Sequence, residues 1–467
     1  MPSDSVLVIA LIAAPLLVFA MRWRRTLLMS LPFLVFLNGL PLTIRGTQLR
    51  VDQFAAVLLL IPLMVSALSG GRRMRMDATS WWLVAILALN VMTSLRSSPA
   101  QTYSLLQCAN LASAWVIYLV LINFLDTREE IDVFFTRCLW GALIASCLGV
   151  AAFILASAGA PVGGAEVSAA AAEHLTNAFG ASGTMIEPNL FGSFAGAHFI
   201  LAMVLLVVGP RARKVPTQRN LLRCVATLSA AALVFSFTRS AWIGTLVGAL
   251  CAVVLGRREQ EVATTRLLKP LLVGSVLVIG LLLLPGSAGT FLRFKLSNLV
   301  NLDSRTAALR LFTYTLALEH TLQHPILGWG TYTFAPLVAQ GNDFAQFEGW
   351  RSLWIGNYLL LALHDTGVVG LAMWLGMLWS IVSRGLRAWL TSRDIDREVA
   401  ARLLALTAAT VSLLVSFLAT TGFSLGFPWL LIGLLGAHER LAMSHAPSPE
   451  AARSHEELPL LLPAHEI

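Results

Sequence analysis

The sequence predicts an all-α, polytopic membrane bundle of about 12–13 transmembrane helices with one long, partly helical loop. Three observations carry that expectation. Of 467 residues, 57% are hydrophobic and only 12% charged, against about 45–50% and about 25% in a soluble domain. Apolar residues run for roughly 20 positions at a time, the length that crosses about 30 Å of hydrocarbon. Arginines cluster in alternate loops, which is how membrane orientation is written. Together these exclude a soluble enzyme, a disordered chain and a nucleic-acid-binding domain. The net charge of +8 sits in short clusters between apolar runs, so the lipid bilayer is the expected partner and nucleic acid is not.

The apolar runs lie near 5–21, 26–44, 51–69, 79–95, 104–124, 133–158, 186–209, 220–237, 240–256, 267–285, 355–382, 400–420 and 426–441. The second contains Pro32 and Pro41, so it is expected to be bent or partial. Period-2 alternation is absent and the runs are too long for barrel strands. The first run is followed by its basic residues, Arg22, Arg24 and Arg25. A secretory signal has its charges first, so no cleavable signal is expected. Cys108, Cys138, Cys147, Cys224 and Cys251 form no CxxC pair and read as small core residues, with neither a disulfide framework nor a metal site.

Arginine clusters at 22–25, 72–75, 128, 211–219, 257–266 and 384–397 mark the expected cytoplasmic side. The remaining basic residues, Arg45, Arg50, Arg96, Arg239, Arg293, Lys295, Arg305, Arg310 and Arg351, fall on the outer side, where each invites a reason. The organisation expected is a transmembrane region at 1–285, a loop with an amphipathic helix at 286–354, further spans at 355–443, and a polar, Pro-rich cytoplasmic tail at 444–467. The loop is too long to be a mere connector. Asp303 or Ser304 can cap a helix in it that ends near His324, before Pro325.

Four outer-face stretches carry candidate chemistry. In SFTRSAW, 236–242, Arg239 sits at the membrane boundary, and Thr238 or Ser240 can cap the helix that follows. A guanidinium beside an outward-facing helix N-terminus suits a doubly charged anion such as a pyrophosphate. The bland alternative is an interfacial arginine that snorkels to lipid headgroups. In GTMIEPNLFGSFAG, 183–196, Pro188 fits a first helical turn and is bracketed by Glu187 and Asn189. Glu187 either caps the helix as a carboxylate or takes a proton from a sugar hydroxyl. In the loop helix, Arg310, Tyr314, Ala317, Thr321 and His324 share one face. Fourteen residues rise about 21 Å, so Arg310 and His324 cannot reach one phosphate if the helix is straight, and His324 reads better as a C-terminal cap. In WIGNYLLLALHDTGVVGL, 354–371, Asn357 stands at the mouth of a span. His364 and Asp365 lie about two turns inside, where ionisable groups are functional candidates or pair with one another. Phosphate-cradling loops and HExxH are absent, so catalysis is expected to need no metal or cofactor.

In this order, EPN (187–189), SFTR (236–239), Arg310 fourteen residues before HPILGWG (324–330), and GNYLLLALHDTGVVG (356–370) resemble the recurring pieces of the O-antigen ligase and surface-polysaccharide polymerase family. The resemblance covers roughly 183–371 by motif, and most of the chain by span pattern. It implies a glycosyltransferase of the bacterial inner membrane, with its active site facing the periplasm and an undecaprenyl-diphosphate-linked oligosaccharide as donor. Other polysaccharide-assembly proteins would be partners. Arg239 and Arg310 would grip the diphosphate, Glu187 would be a candidate base, and Asn189, Tyr314, His324, Arg351, Asn357 and Asp365 would bind substrate. Ligases of the family resemble one another in a histidine just before the last motif's asparagine. Gly356 stands there in this chain, which tilts the expectation toward a polymerase, with ligase as the alternative. A transporter would favour repeated halves with matching broken helices, which the sequence lacks. A non-catalytic scaffold would tolerate loss of the outer arginines.

Overall fold

The computed structural model describes residues 18–39, 42–44, 47–70, 73–157, 181–256, 305–340 and 354–444. Eight helices in these residues are long and apolar enough to cross a membrane, and the protein is an all-α, multi-pass bundle. Most of the expected spans at 5–21 and 267–285, and the tail from 445, lie outside the described residues.

The first helix, α1 (Arg24–Leu34), has 11 residues with Pro32 inside. It rises about 16 Å, half a hydrocarbon thickness, so the proline-bearing second run is a partial span. A departure from pure helix follows it: strands Leu42–Ile44 and Thr47–Leu49 pair antiparallel with Leu42 opposite Leu49. Then come α2 (Val51–Leu68), α3 (Ala78–Ser97), α4 (Gln101–Phe124), α5 (Arg128–Ser157), α6 (Pro188–Val208), the short α7 (Pro210–Lys214), α8 (Pro216–Phe235) and α9 (Arg239–Gly256). Beyond the loop segment lie α10 (Arg305–Gln323), α11 (Phe334–Gln340), α12 (Tyr358–Ser392), α13 (Arg397–Ser416) and α14 (Gly426–Ser444). Helices α8 and α14 fall outside the eight because α8 begins on Arg219 and Arg223 and α14 ends on His438, Glu439 and Arg440. Both nevertheless pack as members of the bundle, α8 on α6 and α14 on α4 and α13.

Helices α6 and α13 form the centre and are buried on most sides. Helix α9 lies along α13 through small residues. A Cβ on Gly244 would come within 2.2 Å of Ser416 Oγ, and one on Gly248 within 2.8 Å of Ala408 O. In lipid, such close backbone approach is what holds helices together. It fixes the N-terminal end of α9, where Arg239 sits, against the turn that follows α13.

Charge is sorted to one end of the bundle. There Arg128 pairs with Asp396 at 2.5 Å, Arg75 with Asp126 at 2.6 Å, and Arg384 with Asp77 at 2.7 Å and Glu439 at 2.5 Å. Asp132 joins Arg211 at 2.6 Å and Arg402 as well. At the opposite end Arg50 braces a turn. It pairs with Asp52 at 3.3 Å and donates to Ser424 O at 2.5 Å, while Asp52 accepts from Gly426 N at 3.0 Å. Along α12 the rise from Asp365 to Arg384 is about 28 Å, one hydrocarbon thickness. The two ends of the bundle are therefore separated by a membrane's depth.

Candidate active site

Two turns are stitched together at the end opposite the arginine clusters. Glu187 precedes α6 with Pro188 in the first turn. Thr238 Oγ1 donates to Pro188 O at 3.1 Å, joining SFTR to EPN. Phe237 carries the sharp turn at φ 49°, and Trp242 Nε1 ties back to Leu233 O at 2.9 Å. Gly192 permits the approach, since a Cβ there would meet Ser236 Oγ at 2.5 Å. The expected cap from Thr238 or Ser240 is not formed. Thr238 gives its proton to the other turn, and the buried Ser240 Oγ finds no hydrogen-bond partner among the described residues. Arg239 is the first residue of α9, beside the start of α6.

Arg310 comes from α10, which a small apolar cluster of its own holds over the start of α12. Leu316, Ala317, Phe334, Val338, Ile355 and Leu361 pack there, apart from the main core. Tyr314, one turn after Arg310, donates to Gly356 O at 2.9 Å and locks the helix to the entrance of α12. Burial raises the Tyr314 phenol above its ordinary value, although the Arg310 charge opposes this. The charges of Arg310 and Arg239 act on one another. Two cations held within reach of each other cost energy that an anion between them would return.

Glu187 is the carboxylate of this group. Its Oε1 accepts from Thr420 Oγ1 at 2.9 Å, and Asn189 also hydrogen-bonds to it. Burial pushes its carboxyl above the ordinary glutamate value; Thr420, Arg310 and Asn189 pull it back only in part. The sequence left a capping carboxylate and a proton acceptor equally open, and desolvation is the largest influence on the group in the fold. A carboxyl poised upward is better matched to proton abstraction near neutrality.

The family's histidine position, Gly356, would accept a Cβ without strain. A Cβ on Gly356 would lie 3.8 Å from Ala419 O, 3.8 Å from Trp354 Nε1 and 3.9 Å from Tyr314 Oη, all ordinary contacts. Asn357 caps α12, its Oδ1 accepting from Leu360 N at 3.0 Å.

Asp365 and His324 belong to a different feature. Helix α12 kinks at Gly367 (φ 65°), and the HPILGWG loop docks into the kink. Trp329 N donates to His364 O at 3.1 Å, Gly330 N to Asp365 O at 2.9 Å, and Val368 N to Pro325 O at 2.9 Å. Asp365 accepts from Tyr332 N at 2.7 Å and faces His364 Nδ1 at 3.0 Å. A Cβ on Gly367 would lie 2.2 Å from Ile326 O, and one on Gly328 2.4 Å from the Asp365 carbonyl carbon. His324 follows the continuous α10, its carbonyl accepting from Gly328 N at 2.9 Å and its ring against Trp329 at 4.1 Å. Thus Glu187, Asn189, Arg239, Arg310 and Tyr314 are brought together, with Asn357 beside them. Asp365 on α12 and His324 at the end of α10 flank the docked loop, and Arg351 lies outside the described residues.

Residues 224–375 match the family model described as O-antigen ligase. The chain carries an O-antigen ligase domain. A search of curated proteins gave no match. The O-antigen ligase domain runs from α8 into α12 and holds Arg239, Arg310, Tyr314, Gly356, Asn357 and Asp365. Glu187 and Thr420 lie outside it in sequence and reach the same place through α6 and α13. Over residues 224–375 the protein is accordingly similar to O-antigen ligase-type membrane enzymes. Thr420 was not singled out by sequence reasoning. Its signal was the polar pair Thr420-Thr421 between two apolar runs.

Proposed function

We propose that the protein transfers a glycan from a polyprenyl diphosphate carrier at the outer face of the inner membrane, and that it acts as a surface-polysaccharide polymerase. The observation that carries this reading is the Thr238–Pro188 bond, which sets Arg239 beside the turn of Glu187, within electrostatic range of Arg310 from a helix distant in sequence. The acceptor hydroxyl oxygen attacks the anomeric carbon of the donor glycan. The bond from that carbon to the diphosphate oxygen breaks, and its electron pair leaves with the diphosphate. The hydroxyl proton passes to the Glu187 carboxylate. The developing charge on the diphosphate is what fixed guanidinium donors stabilise most. Tyr314 and Asn357 order the entrance of α12 around the acceptor, and Gly356 stands where a ligase of the family would have its histidine. The missing histidine favours a polymerase, whose acceptor is an incoming lipid-linked repeat. The family description favours the second reading, a ligase.

Deletion of the gene, followed by a gel of surface polysaccharide, tests the proposal. Single repeats without long chains are expected. Full-length chains stranded on the lipid carrier would transfer the proposal to the ligase reading. Substrate accumulation in proteoliposomes with no bond formed would overturn both in favour of transport.

A further inference from the structure

Helix α10 buries one face and leaves a second apolar face bare. Leu316 and Ala317 pack on α11 and α12, yet Leu318 is 49% exposed, Leu322 78%, and Ile326, in the docked loop, 63%. These three form a row. A helix facing water carries polar residues on its free side. Single exposed leucines need no explanation, but this row runs into another. Val368 N donates to Pro325 O at 2.9 Å and Val369 N to Ile326 O at 3.4 Å, so Ile326 lies beside Val368, itself 51% exposed. Val368 begins the exposed apolar face of α12, which continues through Leu375 and Trp379. In a membrane span such a face is turned to lipid.

Depth points the same way. The Asp77–Arg384 ion pair marks the charged end of the bundle. From Arg384 to Val368, below the Gly367 kink, α12 rises about 24 Å, and from Asp77 to Ser94 α3 rises about 26 Å. Both arrive at the docked loop, since Thr331 N donates to Ser94 Oγ at 3.1 Å. Both stop short of the roughly 30 Å of hydrocarbon, so Ile326 lies about 5 Å inside its far edge.

An amphipathic helix resting in a membrane interface buries its apolar face by about 5–10 Å, which matches this depth. We infer that the C-terminal half of α10 is seated in the leaflet remote from the arginine clusters, with Leu318, Leu322 and Ile326 against lipid acyl chains. Glu319 and Gln323, exposed on the adjoining flank, face the headgroups. The anchor sets the height of Arg310, further up the same helix, above the bilayer. The inference does not rest on the transferase reading.

The test uses the full-length protein in phosphatidylcholine nanodiscs, with Cys147→Ser, Cys224→Ser and Cys251→Ser removing the thiols that are not buried. A nitroxide is attached at Leu318→Cys, Leu322→Cys, Ile326→Cys or Asp394→Cys. Its collisions with oxygen, which concentrates in hydrocarbon, are compared with those with a water-soluble nickel chelate. All four positions are exposed, so the substitutions keep the fold, and gel filtration checks this. The oxygen-to-nickel ratio should be several-fold higher at Leu322 and Ile326 than at Asp394, a loop position at the charged end, with Leu318 between them. A ratio at Leu322 and Ile326 as low as at Asp394 would put the row in water and overturn the inference. Labels reached by neither reagent would mean that protein covers the row, and would overturn it too. Leu322→benzoylphenylalanine in the otherwise native chain gives a second reading. On illumination it should gain the mass of a phospholipid; no lipid adduct would overturn the inference.

Discussion

Removing one guanidinium of the pair is the most informative perturbation, because its two consequences have opposite signs. With substrate, Arg239→Ala or Arg310→Ala deletes a charge-assisted bond to the diphosphate, worth about 1.5–3 kcal/mol. That is about a 10- to 150-fold loss in kcat/KM at 1.36 kcal/mol per decade, at the upper end if the bond strengthens as the leaving group takes up charge. Both arginines serve one anion, so the double variant should lose less than the product of the single losses. Arg239→Lys should recover little, since a point charge replaces a planar fork. Without substrate, either alanine variant relieves the repulsion between the two charges, while Arg310→Ala also gives up its attraction to Glu187, so it is Arg239→Ala whose thermal stability should hold or rise. The assay is release of polyprenyl diphosphate from a lipid-linked repeat, beside thermal unfolding of the same samples in detergent. A wild-type rate in either alanine variant, or lost rate accompanied by lost stability in Arg239→Ala, would refute the reasoning.

Three further outcomes are expected. Glu187 must be ionised to accept a proton, so kcat/KM should rise with pH through a midpoint above the ordinary 4.5; Arg310→Ala and Thr420→Val, which remove groups that lower its pKa, should move that limb to higher pH, and Glu187→Gln should abolish it. Gly367→Ala should destabilise the protein by at least about 1–3 kcal/mol, since φ 65° with ψ −166° is a conformation for glycine alone and the added Cβ would lie 2.2 Å from Ile326 O; an unchanged unfolding midpoint would contradict the docked loop. Asp77 is held below its usual range because Arg384, Tyr118 and Ser80 together outweigh burial; the stability it contributes is complete above pH 3.8 and lost as pH falls further, so Asp77→Asn should flatten the acid end of a stability–pH curve.

How much was legible depended on whether the signal was local. The spans were, because twenty apolar residues in a row have little other use. The weak ones show the limit: α8 and α14 carry charge at their ends, yet burial against neighbours holds them in the bundle. Arg239 was legible as an oddity, a basic residue on the outer side. Another of that group, Arg50, braces the 424–426 turn, and a count of charges could not have separated the two roles. Asp365 and His324 illustrate the same difficulty. Asp365 read as a site residue or a structural pair and His324 as a helix cap; backbone bonds across 325–330 and 364–368 dock the loop that follows His324 onto the kink beside Asp365, and such pairing is not written in either segment alone. Thr420 stayed hidden because its partner, Glu187, lies far off in sequence and only folding brings the two together.

The most direct measurement of the central claim is chain extension by the purified protein in nanodiscs supplied with one lipid-linked repeat. Longer glycans should form with one polyprenyl diphosphate released per bond, and both should vanish together in the Arg239→Ala/Arg310→Ala double variant. Extension that continues undiminished in that variant would contradict the claim that these two guanidiniums hold the leaving group.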